Sequence, residues 1–247
     1  MSQFLTRHRN EVLTTIVVLL FLLFPMILPS FLIPVLITFF LYSCFGLGWN
    51  VVMGYAGQLS LVQTLFIGAG VYVPGMLFIY FRLSPWIGMW GGALLATAIG
   101  AFLGYLCFRY KVKGVYFALA SIAFSQIGLA FVLTFRQLGG GQEVVWPITK
   151  SIRDFQFTTN APYYYIGFIL LGGMMLFTHF LRGTRMGYYF LALRENEDAA
   201  QALGVPVTRY KTIALMLSGL LTAIAGTYWG QYLGMATARE QMGLGIL

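Results

Sequence analysis

The densest run of charged and hydrogen-bonding side chains in this sequence is Arg194-Glu195-Asn196-Glu197-Asp198-Ala199-Ala200-Gln201-Ala202-Leu203-Gly204, which holds three of the seven carboxylates. The spacing is that of a short capped helix. Asn196 is a good N-cap, Glu197 and Asp198 put negative charge in the first turn, and Gly204 with Pro206 beyond it supplies the stop. A helix of about eight residues gains little stability alone in water, so a rigid polar knob of this size suggests docking into a partner; an ordinary structured loop would explain the same residues without one. Catalytic chemistry finds no support elsewhere. The two histidines, His8 and His179, and the two cysteines, Cys44 and Cys107, lack metal-ligand spacing. No nucleophile–base arrangement and no glycine-rich phosphate loop occurs. The chain reads as neither an ATPase nor another enzyme, with no metal and no cofactor of its own.

The elements that must carry the knob are membrane spans. Hydrophobic residues make up 59% of the chain and charged residues 9%, against about 25% charged in soluble domains, and the mean hydropathy is +0.81. Seven stretches approach the roughly 20 apolar residues that cross a bilayer: 12–28, 33–53, 59–81, 86–108, 115–135, 163–181 and 212–233. The first follows Arg7 and Arg9 like a signal peptide. No small-residue cleavage site succeeds it, and Pro25 and Pro29 lead straight into the next span, so it reads as an uncleaved helix. The expected fold is all-α: a polytopic transmembrane bundle of about seven spans forming one domain over 1–247, with an outer loop at 136–162 and an inner loop at 182–211.

With the N-terminus inside, the inner segments hold Arg7, Arg9, Arg109, Lys111, Lys113, Arg182, Arg185, Arg194, Arg209 and Lys211, and the outer ones Arg82, Arg136, Lys150, Arg153 and Arg239. This asymmetry follows the positive-inside rule. The net charge of +8 thus belongs to membrane topology rather than to nucleic-acid binding. No span carries an Asp, Glu, Lys or Arg in its interior, which argues against a proton-coupled carrier. A sodium-coupled carrier working through backbone carbonyls stays open.

Small residues mark where helices meet. Ser218, Thr222, Gly226, Gly230 and Gly234 form an i, i+4 row in the last span, Gly114, Ala118, Ser121, Ser125 and Gly128 a second row, and Gly100 and Gly104 a pair. The last-span row suits either plain packing or a face toward a homologous or identical permease. Between two apolar runs lie Gly57, Gln58, Ser60 and Gln63; with Asn50, Ser125 and Gln126 they offer neutral groups for lining a translocation pathway, or form a simple polar turn. Tyr163, Tyr164 and Tyr165 look like an interfacial aromatic belt.

The order Asp198-Ala199-Ala200…Gly204 resembles the "EAA…G" loop of ABC importer permeases, with Asp for the usual Glu. The longer run from Arg182 to Val205 is similar to the permeases of branched-chain amino acid importers (LivM-type). Gly54-Tyr55-Ala56-Gly57-Gln58-Leu59-Ser60-Leu61-Val62-Gln63 resembles the "GYAGQLSLGQ" run of that family, with Val62 where Gly is usual. The resemblance implies that Asn196, Glu197, Asp198, Ala199, Ala200, Leu203 and Gly204 form a coupling helix in a cleft of a cytoplasmic ATP-binding subunit, with Ala199, Ala200 and Leu203 facing that cleft. ATP and Mg would be held by that partner; a bulky residue at Ala200 would clash in its cleft and should abolish uptake, while membrane levels survive because no span is touched. It further implies a second homologous permease or a homodimer, a periplasmic substrate-binding protein facing loop 136–162, and location in a bacterial inner membrane with the N-terminus cytoplasmic. The implied cargo is branched-chain or other hydrophobic amino acids, with urea, amides or sugars as alternatives. Family members usually carry an acidic residue near Gln126, from which this chain departs. They also continue with further helices beyond the last span, so the chain is expected to be a fragment of a longer gene product.

Overall fold

The computed structural model describes residues 31–147, 149, 151–243 and 245, with 21, 22, 24, 25 and 29. Six helices within these bounds are long and apolar enough to cross a membrane. Helix α1 spans Leu32–Asn50 and runs on through a π-helical turn, Val51–Tyr55; α2 is Gln63–Phe81, α3 Pro85–Arg109, α4 Val115–Thr134 and α5 Asn160–Arg182. Two short helices, α6 (Arg185–Glu195) and α7 (Glu197–Ala202), lead into the long α8 (Val207–Leu233), and a turn of helix, α9, follows at Ala238–Gln241. The chain is thus a polytopic helical bundle, and six of the seven expected spans coincide with these helices. The first, 12–28, falls mostly outside the described residues. Apolar residues run all round each of the six spans because a segment in lipid has no aqueous face to serve and must satisfy its backbone internally.

Burial ranks the helices. In the most apolar stretch of each span, 67% of α8 and 61% of α2 is buried, against 28% for α4 and for α5. Helix α8 is therefore the axis of the bundle, with α2 and α3 laid against it. The approach is backbone to backbone: a Cβ added at Gly226 would come 2.7 Å from the Ile67 carbonyl oxygen of α2, and one at Gly100 of α3 2.9 Å from the Leu215 carbonyl oxygen of α8. Thr227 Oγ1 donates to the Gly70 carbonyl at 2.8 Å. Such contacts replace the hydrophobic drive that lipid does not supply.

This geometry decides between the two readings of the last-span row, for packing within the chain and against a face for a second permease. Ser218 and Thr222 are fully buried, Gly226 and Gly230 lie against Ile67 and Val71 of α2, and Gly234 ends the helix. The row is filled by the chain's own α2. Gly226→Val should consequently destabilise the bundle by about 1–3 kcal/mol or more through overpacking, seen as a lower melting temperature in detergent. Gly173→Val in α5, where an added Cβ meets nothing within 4 Å, should leave it nearly unchanged.

At the bundle end remote from α7, Val144–Trp146 and Phe155 fold back onto the helices. Strand β1 (Val144–Val145) pairs antiparallel with β2 (Met235–Ala236) just after α8. The Trp146 indole, 2% exposed, donates to the Gly230 carbonyl at 3.1 Å, and Phe155 stacks on Trp86 with ring centroids 4.1 Å apart. The expected belt at Tyr163–165 is also corrected: Tyr163 and Tyr164 are buried. A buried tyrosine needs a partner for its hydroxyl. Tyr163 finds the Phe155 carbonyl at 3.2 Å and Tyr164 the Phe21 carbonyl at 2.7 Å.

Candidate functional site

The polar knob is α7 with its two caps. Asn196 ends α6 in an extended conformation, and its Oδ1 accepts from the Ala199 N–H at 2.9 Å. At the other end Gly204 sits at φ +85°, a left-handed position that glycine reaches without strain. There the Gly204 and Val205 N–H groups close onto the Gln201 and Ala200 carbonyls at 3.0 and 3.1 Å. Six residues cannot hold a helix by backbone bonds alone, so the knob depends on what its side chains grip.

Two lysines clamp the first turn. Lys211 Nζ in α8 donates to Glu197 Oε2 at 2.6 Å. Lys113, from the turn between α3 and α4, lies 3.2 Å from Asp198 and 3.5 Å from Glu197. Lys211 is only 1% exposed, and its ammonium also sits 5.3 Å from the Phe108 ring centroid. An ammonium so deeply buried is tolerable only with a well-placed counter-charge. On Lys113 the hydrogen bond to Asp198 is the largest of the effects holding its pKa above that of a free lysine. That stabilisation is present below the free-lysine pKa and fades only as pH rises through the raised one, so Lys113 stays charged near neutrality.

The clamp decides which face of α7 is free. Ala200 is 3% exposed and turned into the chain, whereas Leu203 is 86% exposed and Asp198, Ala199 and Ala202 are exposed beside it. The expectation that Ala200 faces outward is therefore corrected, and with it the use of a bulky residue there. A tryptophan at Ala200 would strike this protein's own core, because pinning Glu197 to Lys211 rotates Ala200, three residues on, toward the bundle.

The knob is also tied to the other polar segment of the sequence. Arg194 Nη1, at the end of α6, donates to the Gly54 carbonyl at 2.9 Å across 140 residues of chain. Gly54 lies in the π turn that ends α1, where carbonyls are released from regular pairing. Gly57, at φ +66°, lies so close that an added Cβ would be 3.0 Å from the Arg194 Cα. Asn50 folds over Gly54.

Two other pathway candidates, Gln63 and Ser125, serve as cross-links in this conformation. Gln63 donates through Nε2 to Ser218 Oγ and accepts through Oε1 from Thr222 Oγ1, both at 2.8 Å. Ser125 Oγ donates to the Ser121 and Leu61 carbonyls at 3.0 and 3.2 Å. Gln58 bonds the Ala56 carbonyl at 3.2 Å. Ser60 is fully buried, and its carbonyl accepts from the Trp49 indole at 2.8 Å, while Gln126 is half-buried. Sequence reasoning missed Lys113, Lys211 and Arg194 as binding partners of these segments. It counted them as topology charges, and nothing local marks a lysine 14 residues after Glu197 as its mate.

A bundle of apolar helices with a capped, ion-paired knob at one end defines a multi-pass membrane protein. The family described as branched-chain amino acid transport system / permease component matches residues 31–247, and the chain belongs to that family, one of transport proteins rather than enzymes. It is 28% identical to the high-affinity branched-chain amino acid transport system permease protein LivM of Salmonella typhimurium over 221 residues, covering 80% of this chain and 52% of that protein. LivH of the same organism is 24% identical over 78% of this chain and 68% of its own length. The L-arabinose ABC transporter permease protein AraH of Azospirillum brasilense is 28% identical over 64% of this chain and 44% of its own. The chain spans about half the length of LivM. No solved structure matches.

Proposed function

We propose that this chain is the membrane-spanning permease subunit of an ATP-driven importer for branched-chain or other hydrophobic amino acids. In this reading α7 is the coupling helix, at the cytoplasmic end by the lysine and arginine count, and its Leu203 side enters a cleft of an ATP-binding subunit. The observation that carries the reading is the double attachment of α7. Through Glu197–Lys211 the knob grips the axial helix α8, and through Arg194–Gly54 its flank grips the irregular end of α1. A displacement imposed on α7 by nucleotide binding in the partner therefore reaches the centre of the bundle and the broken segment together. ATP and Mg are bound by the partner, a second permease completes the pathway, and a periplasmic binding protein delivers the cargo in the inner membrane of a bacterium. Specificity then rests mainly with that binding protein, which agrees with a permease interior of neutral groups.

The test is Leu203→Glu in the complete transporter. A charge on this exposed side chain costs the fold little but must be desolvated in the cleft. ATP-dependent leucine uptake and co-purification of the ATP-binding subunit should both fall at least tenfold, with membrane levels near normal. Undiminished uptake, or uptake driven by a sodium gradient without ATP, would refute the assignment; uptake of arabinose or urea in place of leucine would correct the cargo.

A further inference from the structure

A groove of about 600 Å³ opens between α3 and α8 beside α7, outside the contacts used above. Its apolar depth is formed by Ile213 and Met216 with Tyr105, and Arg209 stands at its mouth. A second guanidinium flanks it: Arg109 Nη1 donates to the Tyr105 hydroxyl at 2.6 Å, and the guanidinium carbon lies 5.4 Å from the centre of that ring. Both arginines are exposed, and among the described residues neither pairs with a carboxylate. From Arg209 to Met216 the helix advances roughly 10 Å, so the groove descends from the charged end of the bundle into the depth occupied by acyl chains.

We propose that this groove is a binding site for an anionic phospholipid, with its phosphate held between Arg109 and Arg209 and one acyl chain laid over Ile213 and Met216. The charge pattern selects this occupant. Guanidinium groups suit phosphate oxygens in geometry and charge, and basic sites between spans attract acidic headgroups. A soluble subunit docked on α7 would not reach Met216 at hydrocarbon depth. A helix from another permease would cover two guanidiniums and supply no counter-charge unless it brought carboxylates of its own. Because Gln201 and Val205 also wall the groove, the bound lipid buttresses the C-terminal end of α7. The proposal rests on the membrane-spanning fold and stands independently of the cargo.

Native mass spectrometry of the complete detergent-purified permease tests it, using phosphatidylglycerol and phosphatidylcholine with identical acyl chains. The protein should retain phosphatidylglycerol in preference. In the double variant Arg109→Gln/Arg209→Gln this retention should fall roughly 25-fold, the product of about fivefold per cation, while phosphatidylcholine, whose phosphate charge is already offset by its own choline, should lose far less. Arg109→Lys/Arg209→Lys should keep most of the preference, which separates loss of charge from loss of fold, and Met216→Trp should weaken both lipids by filling the groove. Equal retention of the two lipids by the native protein would overturn the proposal. So would undiminished phosphatidylglycerol retention in the double glutamine variant, or a photo-crosslinker at position 213 that captures another protein chain instead of lipid.

Discussion

Lys211→Met is expected to cost about 3 kcal/mol of stability and most of the uptake proposed above, although the side chain is almost wholly enclosed by its own chain. Its ammonium is 1% exposed and 2.6 Å from Glu197. Removing one member of a buried pair strands the other, at about 3–5 kcal/mol. The low end applies because Glu197 keeps Lys113 at 3.5 Å and its own side chain is 22% exposed. The loss should appear as a lowered melting temperature and as α7 becoming open to proteolysis or amide exchange. Methionine keeps the length of the lysine stem beside Phe108, so a cavity is not the cause. Adding Glu197→Gln removes the stranded charge and should restore most of the stability. Uptake in that double variant separates two roles: recovery means that a fixed α7 suffices, while continued loss means that the ion pair itself carries force from α7 to α8. A single Lys211→Met variant as stable and as active as the native protein would show that the clamp is ornamental.

The second large effect is expected at Gly57. A side chain there meets two obstacles. The backbone is at φ +66°, which costs an ordinary L-residue about 1–2 kcal/mol. The new Cβ would also press on the Arg194 Cα at 3.0 Å, and a backbone atom has no rotamer into which to retreat. Gly57→Ala should therefore displace the end of α6, weaken the Arg194–Gly54 bond and reduce uptake at least tenfold. The ATP-binding subunit should still co-purify, since the exposed face of α7 is untouched. Gly57→Asn discriminates the causes: asparagine tolerates the left-handed conformation but carries the same Cβ. If the contact matters, asparagine fails as badly as alanine; if only backbone strain matters, it is largely active. Native uptake by both variants would remove this contact from the coupling route.

Much of the architecture was legible in the chain because a bilayer imposes a simple rule. A segment that crosses it must be long, apolar and helical, so six helices could be bounded within a few residues from composition alone. The caps of α7 were legible for a similar reason: Asn196 and Gly204 act on neighbours one turn away, and local hydrogen bonds leave local signals. The two motif segments, around Gly57 and around Asp198, were each visible, but their contact across 140 residues was not.

What the sequence determined by itself is therefore the set of spans, the position of the knob and its charge. What tertiary structure alone decided is direction. It turned the Ser218–Gly230 row inward onto α2, where a membrane-facing or dimer-facing orientation reads identically in one dimension. It buried Ala200 and exposed Leu203, since the rotation of α7 follows from where Lys113 and Lys211 arrive in space. It also made Gln63 a link to Ser218 and Thr222 rather than a free polar group. In helices that are apolar all round, hydrophobic periodicity carries almost no facing information. The rotation of each helix is set instead by close backbone approach and by a few polar pairs, both of which exist only once distant segments have met.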